Sequence, residues 1–385
     1  MKKRLLCFFL FFAALVLCAC AASEPPDASP PEETPCPHAW ENGVCALCGE
    51  VCAHDAGFAG GSCPRCGLPC PHEWRDGVCA LCGFACPHEA HDENAVCLLC
   101  GEQRFHSYER GLCTGCGREP LLFDDMLPER YLTPAERRGA CLLDSVTGED
   151  GEEHPLAVWL PCDYDENGRY DLLLCIPGDN GDPEGWTETV FSYHGVSFCL
   201  SSVYDRMTEE HLCAPFIVVG VEPPKEHASY DDYAALLRET LLPCIVSRYA
   251  TWAEGADEAS LIAARDHFAL CGASRGGHFV IECGVRRCPD LFANFCSMSK
   301  GQITKSEVID FETDLLKEYP PRCYVAGWGW NEPDAWTWDK RTFEKIVERL
   351  PYLTEGENAF AVPVHDAHNW VTWSTGLFDA LQYMF

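Results

Sequence analysis

The feature that most constrains this chain is a repeat of cysteine and histidine between residues 36 and 116. Fourteen of the 28 cysteines lie in this stretch. Each unit consists of Cys-x-His, a short spacer, and then Cys-x-x-Cys-Gly. Units this short cannot bury enough apolar surface to fold alone. Cross-links through the cysteines and histidines must therefore supply most of the folding free energy.

The sequence predicts that these cross-links are zinc ions. Three thiolates and one imidazole form a closed tetrahedral zinc site, and such a site stabilises the fold around it. The four complete units supply Cys36, His38, Cys45 and Cys48; Cys52, His54, Cys63 and Cys66; Cys70, His72, Cys79 and Cys82; and Cys86, His88, Cys97 and Cys100. A fifth unit has His106, Cys113 and Cys116, but Arg104 stands where its first cysteine is expected. A water molecule or a distant side chain must then complete this fifth site.

Two alternatives for the array remain open. Disulfides are common in exported proteins, and they would explain the cysteines but not the histidine in every unit. The ligands can also be divided differently, so that a Cys-x-x-Cys joins the following Cys-x-His, as in Cys45, Cys48, Cys52 and His54. That division leaves both ends of the array without partners, so the sequence favours the first. Closed sites have no open coordination position, and neither an activity nor a partner is predicted for the array.

Residues 1–20 have the pattern of a bacterial lipoprotein signal. Basic residues at positions 2–4 precede an apolar run that is too short to span a bilayer. The run ends in a sequence that resembles a lipobox, in which a cysteine receives lipid after cleavage. Cys20 follows the small residue that this motif requires, whereas Cys18 follows a leucine. An ordinary cleaved signal peptide is the alternative.

The composition of the next segment, residues 21–34, is rich in proline, glutamate, alanine and serine, which predicts a disordered tether. The protein is therefore expected to be exported and held on the outer face of the cell membrane by a lipid on Cys20. The formal net charge of the chain is -32. This charge argues against nucleic acid and anionic membrane surfaces as electrostatic partners.

Two larger segments follow from the pattern: the Cys/His array over residues 35–118 and a separate domain over residues 121–385. In the second segment, apolar runs alternate with amphipathic stretches, which predicts an α/β fold. The predicted strands are Leu156–Leu160, Tyr170–Ile176, Pro215–Val221, His267–Cys271, Phe292–Cys296, Arg322–Ala326 and Ala359–Val362. The predicted helices include Tyr230–Arg248, Arg275–Val285, Trp338–Leu350 and Trp373–Tyr383.

One motif in this domain points to chemistry, the Gly-x-Ser-x-Gly sequence Gly272-Ala273-Ser274-Arg275-Gly276. A predicted strand leads into it and a predicted helix leaves it, which is the setting in which this motif presents a nucleophilic serine. Small flanking residues are needed because the backbone of such a turn passes close to neighbouring elements. Ser274 would stand at a helix N-terminus, where backbone N–H groups can stabilise an oxyanion. A glycine-rich turn without catalysis is the alternative.

A nucleophilic serine needs a base, and in folds with this motif the acid and then the histidine come later in the chain. Two histidines lie near the end of the chain, His365 and His368. His368 opens a His-x-Trp stretch that is followed by leucines at helical spacing, so the sequence favours His368 as the base. His365 is then a loop histidine.

Several stretches of this domain together resemble one family. These stretches are Val158–Tyr170, which is similar to the family's opening "YLPxGYDxxKKY"; Leu241–Tyr249, similar to "VIPxIxxKY"; Gly272–Gly277, similar to "GxSMGG"; and His368–Phe385, similar to "HxWxxWxxxLxxxLxxxF". On these motifs, residues 121–385 resemble the putative-esterase family of α/β-hydrolases, and within it the feruloyl and acetyl-xylan esterases attached to bacterial xylanases. The resemblance implies an α/β-hydrolase fold, with Ser274 as the nucleophile and His368 as the general base.

The oxyanion loop departs from the family pattern. The family has His-Gly-Gly after its second strand, whereas this chain has Pro-Gly-Asp, ending in Gly178 and Asp179. Gly178 preserves the backbone turn. The backbone N–H of Arg275 and an N–H at Gly178 or Asp179 are the predicted oxyanion donors. The Arg275 side chain replaces the family's usual methionine and either favours an anionic substrate or is simply solvated.

The acid of the triad also departs from the family pattern. The aligned position, after a late strand, holds Trp330, which cannot serve. Glu332 and Asp334 follow it closely, and the sequence does not choose between them. Because Pro333 restricts the backbone between them, only one of the two carboxylates is expected to reach His368.

The resemblance implies hydrolysis of a carboxylic ester through a covalent acyl-enzyme, with no cofactor for the catalytic step. The implied substrates are feruloyl or acetyl esters of plant cell-wall polysaccharides or oligosaccharides. Two other functions remain open. One is a lipoprotein that keeps the hydrolase fold but only binds, which the altered loop and acid would explain. The other is a metal-binding surface protein in which the Cys/His array is the functional part.

Overall fold

The computed structural model describes residues 36–58, 61–148, 151–179, 181–225, 228–300, 313–332 and 335–385. The predicted signal with Cys20, the predicted tether and Asp334 lie outside these residues. The chain divides into two compact units, of which the first contains the residues through Glu73 together with Ala80–Phe84. The second contains Trp74–Cys79 and Ala85–Phe385. The fourth and fifth Cys/His units therefore belong to the same compact unit as the α/β domain, while the boundary predicted near residue 120 stays a prediction.

Short antiparallel hairpins recur along the array. Three of them pair Trp40–Glu41 with Val44–Cys45, Trp74–Arg75 with Val78–Cys79, and Tyr108–Glu109 with Leu112–Cys113. The two turn residues of each hairpin have positive φ, for example 52° at Asn42 and 78° at Gly43. This is the type I′ turn, which Asn-Gly and Asp-Gly pairs adopt readily. Each hairpin ends on the first cysteine of a Cys-x-x-Cys pair.

The α/β domain is built on one eight-stranded sheet. Its strands, numbered in chain order, are β1 (Ala140–Thr147), β2 (Glu153–Leu160), β3 (Asp171–Ile176), β4 (Phe216–Val221), β5 (Phe268–Ala273), β6 (Asn294–Met298), β7 (Cys323–Gly329) and β8 (Ala359–Val364). They lie in the order β8-β7-β6-β5-β3-β4-β2-β1. Strands β3 to β8 are parallel, whereas β2 pairs antiparallel with β1 and β4. The predicted α/β-hydrolase class is confirmed.

Helices cover both faces of this sheet. They are α1 (Glu129–Leu132), α2 (Leu200–Glu209), α3 (Tyr230–Ala235, Leu236–Leu241 and Leu242–Arg248), α4 (Glu258–Ala263), α5 (Arg275–Phe279 and Val280–Val285), α6 (Asp314–Glu318), α7 (Ala335–Arg349) and α8 (Trp370–Met384). A small hairpin, Phe191–Tyr193 with Val196–Phe198, lies outside the sheet. Within the described part of the chain, no helix has both the length and the apolar character needed to cross a membrane.

The parallel strands are buried on both faces, which explains their nearly continuous apolar sequences. Along β3, Leu172 belongs to the core cluster that contains Leu237 of α3. The next residue, Leu173, belongs to the opposite cluster, which contains Leu377 of α8. Alternation of side chains along a strand produces this division.

The register of the strands brings their carboxyl ends to one edge of the sheet. In the ladders, Gly272 pairs with Ile176, Ala273 with Met298, and Met298 with Gly327. The loops that follow β3, β5, β6 and β7 therefore begin side by side. In open α/β sheets, ligands bind at this edge, outside the carboxyl ends of the strands.

Candidate active site

Ser274 lies in a strained turn between β5 and α5. Its φ is 55° and its ψ is -123°, a conformation that residues with a side chain rarely adopt. Strain of this kind persists only where the surrounding structure imposes it, and it is concentrated at functional sites. The predicted strand–turn–helix setting of the motif is therefore present in the structure.

The glycines around Ser274 are required by close packing. A Cβ on Gly272 would lie 2.5 Å from the carbonyl group of Gly276. A Cβ on Gly276 would lie 2.1 Å from the carbonyl oxygen of Ile176, at the end of β3. The Ser274 N–H donates to the carbonyl oxygen of Met298, at 2.9 Å. The turn is thus held between the ends of β3 and β6, as the need for small flanking residues predicted.

The loop after β3 approaches the serine closely. A Cβ on Gly178 would lie 2.9 Å from the Cβ of Ser274 and 3.4 Å from its Oγ. The next residue, Asp179, accepts a hydrogen bond from the Arg275 guanidinium at 3.0 Å, and this guanidinium also donates to the carbonyl of Lys225. The positive charge beside Ser274 is therefore paired with Asp179, and the structure does not leave it as a free cation for an anionic substrate.

His368 lies in the loop between β8 and α8, where it contacts Glu332. Its Nδ1 is 2.8 Å from Glu332 Oε2. The Glu332 side chain is 4% exposed, whereas that of His368 is 43% exposed. The hydrogen bond with Glu332 raises the pKa of His368 above its usual value, against the opposing effect of burial. Of the two predicted acids, the structure brings Glu332 to His368, and Asp334 lies outside the described residues.

The other oxygen of Glu332 is also bound. Oε1 accepts hydrogen bonds from Ser299 Oγ at 2.5 Å and from the Gly329 N–H at 2.7 Å. Ser299 Oγ in turn accepts from Trp373 Nε1 at 3.0 Å. Glu332 is thus fixed by the ends of β6 and β7 and by α8. Ser299 is not among the residues predicted from the sequence, although a polar residue directly after a buried strand is a signal for this edge of the sheet.

His365 has different surroundings. Its N–H donates to the carbonyl of Asp124 at 2.6 Å, and its Nδ1 lies 3.6 Å from the Asp124 carboxylate. Its ring stacks on Trp330 with the ring centres 6.2 Å apart. These contacts agree with the interpretation of His365 as a loop histidine. The catalytic roles predicted for Ser274, His368 and Glu332 remain predictions, although their surroundings match the chemistry.

A buried ion pair lies beside this network. Lys300 follows Ser299 directly, and its Nζ donates to Asp339 Oδ1 of α7 at 3.0 Å. The two side chains are 0% and 1% exposed. Burial raises the pKa of Asp339, while the charge of Lys300 opposes this effect. Neither residue is predicted from the sequence, because their contact joins segments 39 positions apart.

The structure groups the Cys/His ligands by the division that the sequence favours. In three complete units, one histidine and three cysteines place their ligand atoms within 4.8 Å of one another. These sets are Cys36, His38, Cys45 and Cys48; Cys52, His54, Cys63 and Cys66; and Cys86, His88, Cys97 and Cys100. The ligands of the third Cys/His unit, Cys70 to Cys82, are divided between the two compact units. No disulfide joins the cysteines of the array, so the described residues do not show the disulfide alternative.

The distances within these sets match a tetrahedral metal site. Zinc–sulfur bonds of about 2.3 Å and zinc–nitrogen bonds of about 2.0 Å at tetrahedral angles place two sulfurs about 3.8 Å apart and sulfur and nitrogen about 3.5 Å apart. Cys52 and Cys63 Sγ are 3.8 Å apart, and Cys86 and Cys97 Sγ are 3.7 Å apart. His88 Nδ1 lies 3.5 Å from Cys100 Sγ. These sets of residues could hold metal ions.

Two further features fit metal binding. The histidine of each complete unit has positive φ, from 21° at His38 to 52° at His54, an uncommon conformation that aims the ring back at the cysteines. The backbone N–H of Cys66 lowers the pKa of the Cys63 thiol to about 6, which favours its thiolate. In the same set, burial and the thiols of Cys66 and Cys63 raise the pKa of Cys52 against the effect of the His54 backbone N–H. In the fifth unit, the fourth position next to His106, Cys113 and Cys116 is taken by His91, which the sequence analysis missed.

Comparison with solved structures shows the same fold in known esterases. A mutant of the feruloyl esterase module from Clostridium thermocellum, complexed with sinapinate, superposes with a TM-score of 0.59 and 21% identity, covering 70% of this chain and 95% of that one. A ferulic acid esterase from Anaeromyces mucronatus, in complex with ferulic acid, has a TM-score of 0.53 and 18% identity, covering 69% of this chain and 98% of that one.

Comparison of sequences gives the family. The chain is 28% identical over 172 residues to endo-1,4-beta-xylanase Y of Acetivibrio thermocellus, a match that takes in 45% of this chain and only 15% of that longer protein. The family model described as "Putative esterase" matches residues 148–354, which is more than half of the 385 residues and includes the strained serine turn and Glu332. On this match, together with the sheet order and the turn at Ser274, the chain belongs to the putative-esterase family.

Proposed function

We propose that this protein is a serine carboxylic-ester hydrolase that removes feruloyl or acetyl groups from plant cell-wall polysaccharides or oligosaccharides. The family supports the general class, a carboxylic-ester hydrolase. The observation that carries the serine mechanism is the strained Ser274, which lies at the same edge of the sheet as the paired His368 and Glu332.

In the first half of the reaction, His368 accepts the proton of Ser274 Oγ through Nε2, and Oγ attacks the ester carbonyl. The Glu332 carboxylate accepts a hydrogen bond from Nδ1–H, so that Nε2 carries the free lone pair. The same carboxylate stabilises the imidazolium that forms. The carbonyl oxygen becomes an oxyanion. The N–H of Arg275, at the start of α5, and an N–H at Gly178 or Asp179 would donate to it.

In the second half, the tetrahedral intermediate collapses and the C–O bond to the leaving alcohol breaks. His368 gives its proton to that alcohol and leaves the acyl group bound to Ser274. A water molecule then transfers a proton to His368 and attacks the acyl carbonyl. This attack forms a second tetrahedral intermediate. As it collapses, the bond between the acyl carbon and Ser274 Oγ breaks, His368 returns its proton to Oγ, and the carboxylic acid is released. No step requires a cofactor.

The substrate class is supported by the similar proteins. One relative is a xylanase, and two structural neighbours are feruloyl or ferulic acid esterases in complex with sinapinate or ferulic acid. These ligands are aromatic acids, and xylan is the polysaccharide that a xylanase cleaves. An ester that joins such an acid, or acetate, to a plant polysaccharide is therefore the proposed substrate.

We propose that the Cys/His array carries structural zinc and that a lipid on Cys20 holds the protein on the outer face of the cell membrane. The first proposal is supported by the sulfur–sulfur and sulfur–nitrogen distances in the array. The second is supported by the sequence pattern around Cys20. In this arrangement the catalytic domain acts on extracellular polysaccharide.

The test of the catalytic proposal is Ser274→Ala, assayed on 4-nitrophenyl acetate, methyl ferulate and acetylated xylo-oligosaccharides. Loss of the nucleophile should lower kcat by at least about 10⁴-fold, with unchanged secondary structure and no loss of thermal stability. Ser247→Ala, at an exposed serine of α3, is the matched control and should keep full activity. Turnover by a well-folded Ser274→Ala protein would show that another residue is the nucleophile.

The same assays separate the enzyme from a protein that only binds. If the wild-type protein releases no product from any ester but binds feruloylated oligosaccharides, the binding alternative is correct. A burst of product equal to the protein concentration, followed by slow turnover, would instead show acylation with slow deacylation.

A further inference from the structure

His91 occupies the position that the missing cysteine leaves in the fifth Cys/His unit. His91 Nε2 lies 3.4 Å from Cys113 Sγ, and His106 Nδ1 lies 3.3 Å from the same sulfur and 3.6 Å from Cys116 Sγ. The four ligand atoms lie within 4.8 Å of one another. We propose that these residues bind a fifth zinc ion in a closed Cys₂His₂ site, which joins the fourth and fifth units and fixes them to the α/β domain.

The hydrogen bonds of His91 prepare it as a ligand. Its Nδ1 lies 2.9 Å from the carbonyl oxygen of Asp92, so the proton of the neutral ring is on Nδ1. Nε2 then presents its lone pair to the centre of the cluster. A carbonyl that accepts from the second ring nitrogen is the usual way in which proteins orient a metal-binding histidine.

Gly115 provides the space that His91 needs. A Cβ on Gly115 would lie 2.1 Å from His91 Cδ2 and 2.2 Å from Nε2. The other Cys-x-x-Cys pairs have a large side chain at the same place, namely Leu47, Arg65, Leu81 and Leu99. The fifth unit thus differs from the others at two positions. It has lost a cysteine, and it has gained the glycine that admits a histidine from the neighbouring unit.

Charge explains why the replacement is a histidine. His91, His106 and Cys113 are only 6%, 2% and 3% exposed. A divalent ion with two thiolates and two imidazoles is neutral, whereas three thiolates leave a net charge of -1. Burying an unpaired charge is costly, so the neutral ligand set suits the buried position. Without a bound cation, the buried ring nitrogens His91 Nε2 and His106 Nδ1 would both face the sulfur of Cys113.

The fifth unit contacts the α/β domain directly. The His106 N–H donates to the carbonyl of His211, after α2, at 3.1 Å. The rings of Phe105 and His211 lie 5.0 Å apart. Arg110 Nε lies 3.7 Å from the Glu357 carboxylate, just before β8. A metal ion that fixes His106 and Cys113 therefore also fixes the surface that contacts the domain, and its binding should stabilise the domain.

The test is the number of zinc ions bound by the full chain in native mass spectrometry under reducing conditions. The wild-type chain should bind five ions. His91→Ala should bind four, and Gly115→Ala, which keeps all four ligands but blocks the approach of His91, should also bind four or bind the fifth at least about 10-fold more weakly. His54→Ala is the matched control that removes one ligand from a set in the first compact unit, and it should also bind four.

Thermal unfolding of the α/β domain, followed by tryptophan fluorescence, distinguishes these variants. His91→Ala and Gly115→Ala should lower the midpoint by about 5 °C, and His54→Ala should leave it unchanged. Four ions in the wild-type chain, or five in His91→Ala, would overturn the fifth site while leaving the other sites intact. Equal midpoints in His91→Ala and His54→Ala would overturn its link to the domain. None of these outcomes depends on ester hydrolysis.

Discussion

Glu332 has both carboxylate oxygens occupied, one by His368 and the other by Ser299 and the Gly329 N–H. These bonds fix the direction of the carboxylate before any substrate arrives. The carboxylate in turn fixes the tautomer of His368, and a wrong tautomer removes most of the catalysis in such triads. The sequence left Glu332 and Asp334 as equal candidates because the choice depends on the path of the loop after β7.

We predict that Glu332→Gln lowers kcat by about 10⁴-fold. The amide keeps the shape of the side chain but loses the negative charge that stabilises the imidazolium, and it can present an N–H to Nδ1. Asp334→Asn is the matched control and should keep most of the activity. The measurement is kcat and kcat/KM on the best ester found. A large loss in Asp334→Asn with a small loss in Glu332→Gln would exchange the roles of the two residues.

The pH dependence gives a second readout for the same variant. The catalytic base must be neutral, so kcat/KM should rise with pH through the pKa of His368, which the Glu332 hydrogen bond raises above the usual value of about 6.5. In Glu332→Gln the midpoint of this rise should move to lower pH. The contribution of His368 to the free energy of unfolding changes in the opposite direction and falls as the pH rises. The raised pKa stabilises the fold below the unfolded-state pKa, and this contribution is lost as the pH rises through the folded-state pKa.

Sequence motifs identified the residues whose roles are local, and they missed the residues that act across the fold. Ser274 and His368 lie in short stretches with a recognisable pattern. Ser299 and His91 contact partners 33 and 22 positions away, and the local sequence gives only a weak signal for each. Gly115 was the available signal for His91, because it is the one small residue at its place in the five Cys-x-x-Cys pairs.

At the scale of elements, the end of β6 is joined to α7 by the buried pair of Lys300 and Asp339. We predict that Lys300→Met destabilises the protein by about 3–5 kcal/mol, since it leaves a carboxylate buried without its partner. The double variant Lys300→Met with Asp339→Leu should recover most of this loss, because replacing both charges by apolar groups is often neutral. Urea unfolding of the four proteins of this double-mutant cycle is the measurement.

An exposed pair on the same helix provides the control for this cycle. Lys340 and Glu344 of α7 are 3.8 Å apart, with side chains 45% and 54% exposed. Lys340→Met should change the free energy of unfolding by no more than about 0.5 kcal/mol. If Lys300→Met has an equally small effect, the buried pair does not hold α7 to the sheet.

The elements that the sequence predicted correctly are those with strong hydrophobic patterns. All seven predicted strands are present as β2 to β8, with ends shifted by a few residues. The strand of the sheet that was missed, β1, is an edge strand whose side chains are mostly at least partly exposed. Its apolar run, Ala140–Leu143, is short and is followed at once by Asp144 and Ser145. Helix α2 was missed although Leu200, Val203 and Met207 lie at helical spacing and form its buried face.

At the scale of the whole molecule, composition and contacts divide the chain differently. The density of cysteine and histidine falls abruptly after Cys116, which led to a predicted boundary near residue 120. The compact units place residues 85–118 with the α/β domain, while the predicted boundary near residue 120 stays a prediction. Contacts such as that between His106 and His211 explain this. They join residues 105 positions apart in the chain, so local sequence patterns do not predict them.

The charge of the whole molecule decides how it could be held at a membrane. With a formal net charge of -32, the protein is repelled by anionic lipid headgroups. Under the proposal of a lipid on Cys20, attachment comes from acyl chains, each buried CH₂ of which contributes about 0.8 kcal/mol. The lipid on Cys20 would thus be the sole attachment, and it would be insensitive to salt.

We therefore predict that Cys20→Ala moves the protein from the membrane fraction to the soluble fraction, at low and at high salt alike. Incorporation of an alkyne-labelled fatty acid should be lost in the same variant. Cys18→Ala is the matched control, because it removes a neighbouring cysteine and leaves the small residue before Cys20 in place. Retention of Cys20→Ala with release of Cys18→Ala would move the lipid to Cys18. Retention of both variants, with no fatty-acid label in the wild-type protein, would mean that an uncleaved apolar segment is the anchor.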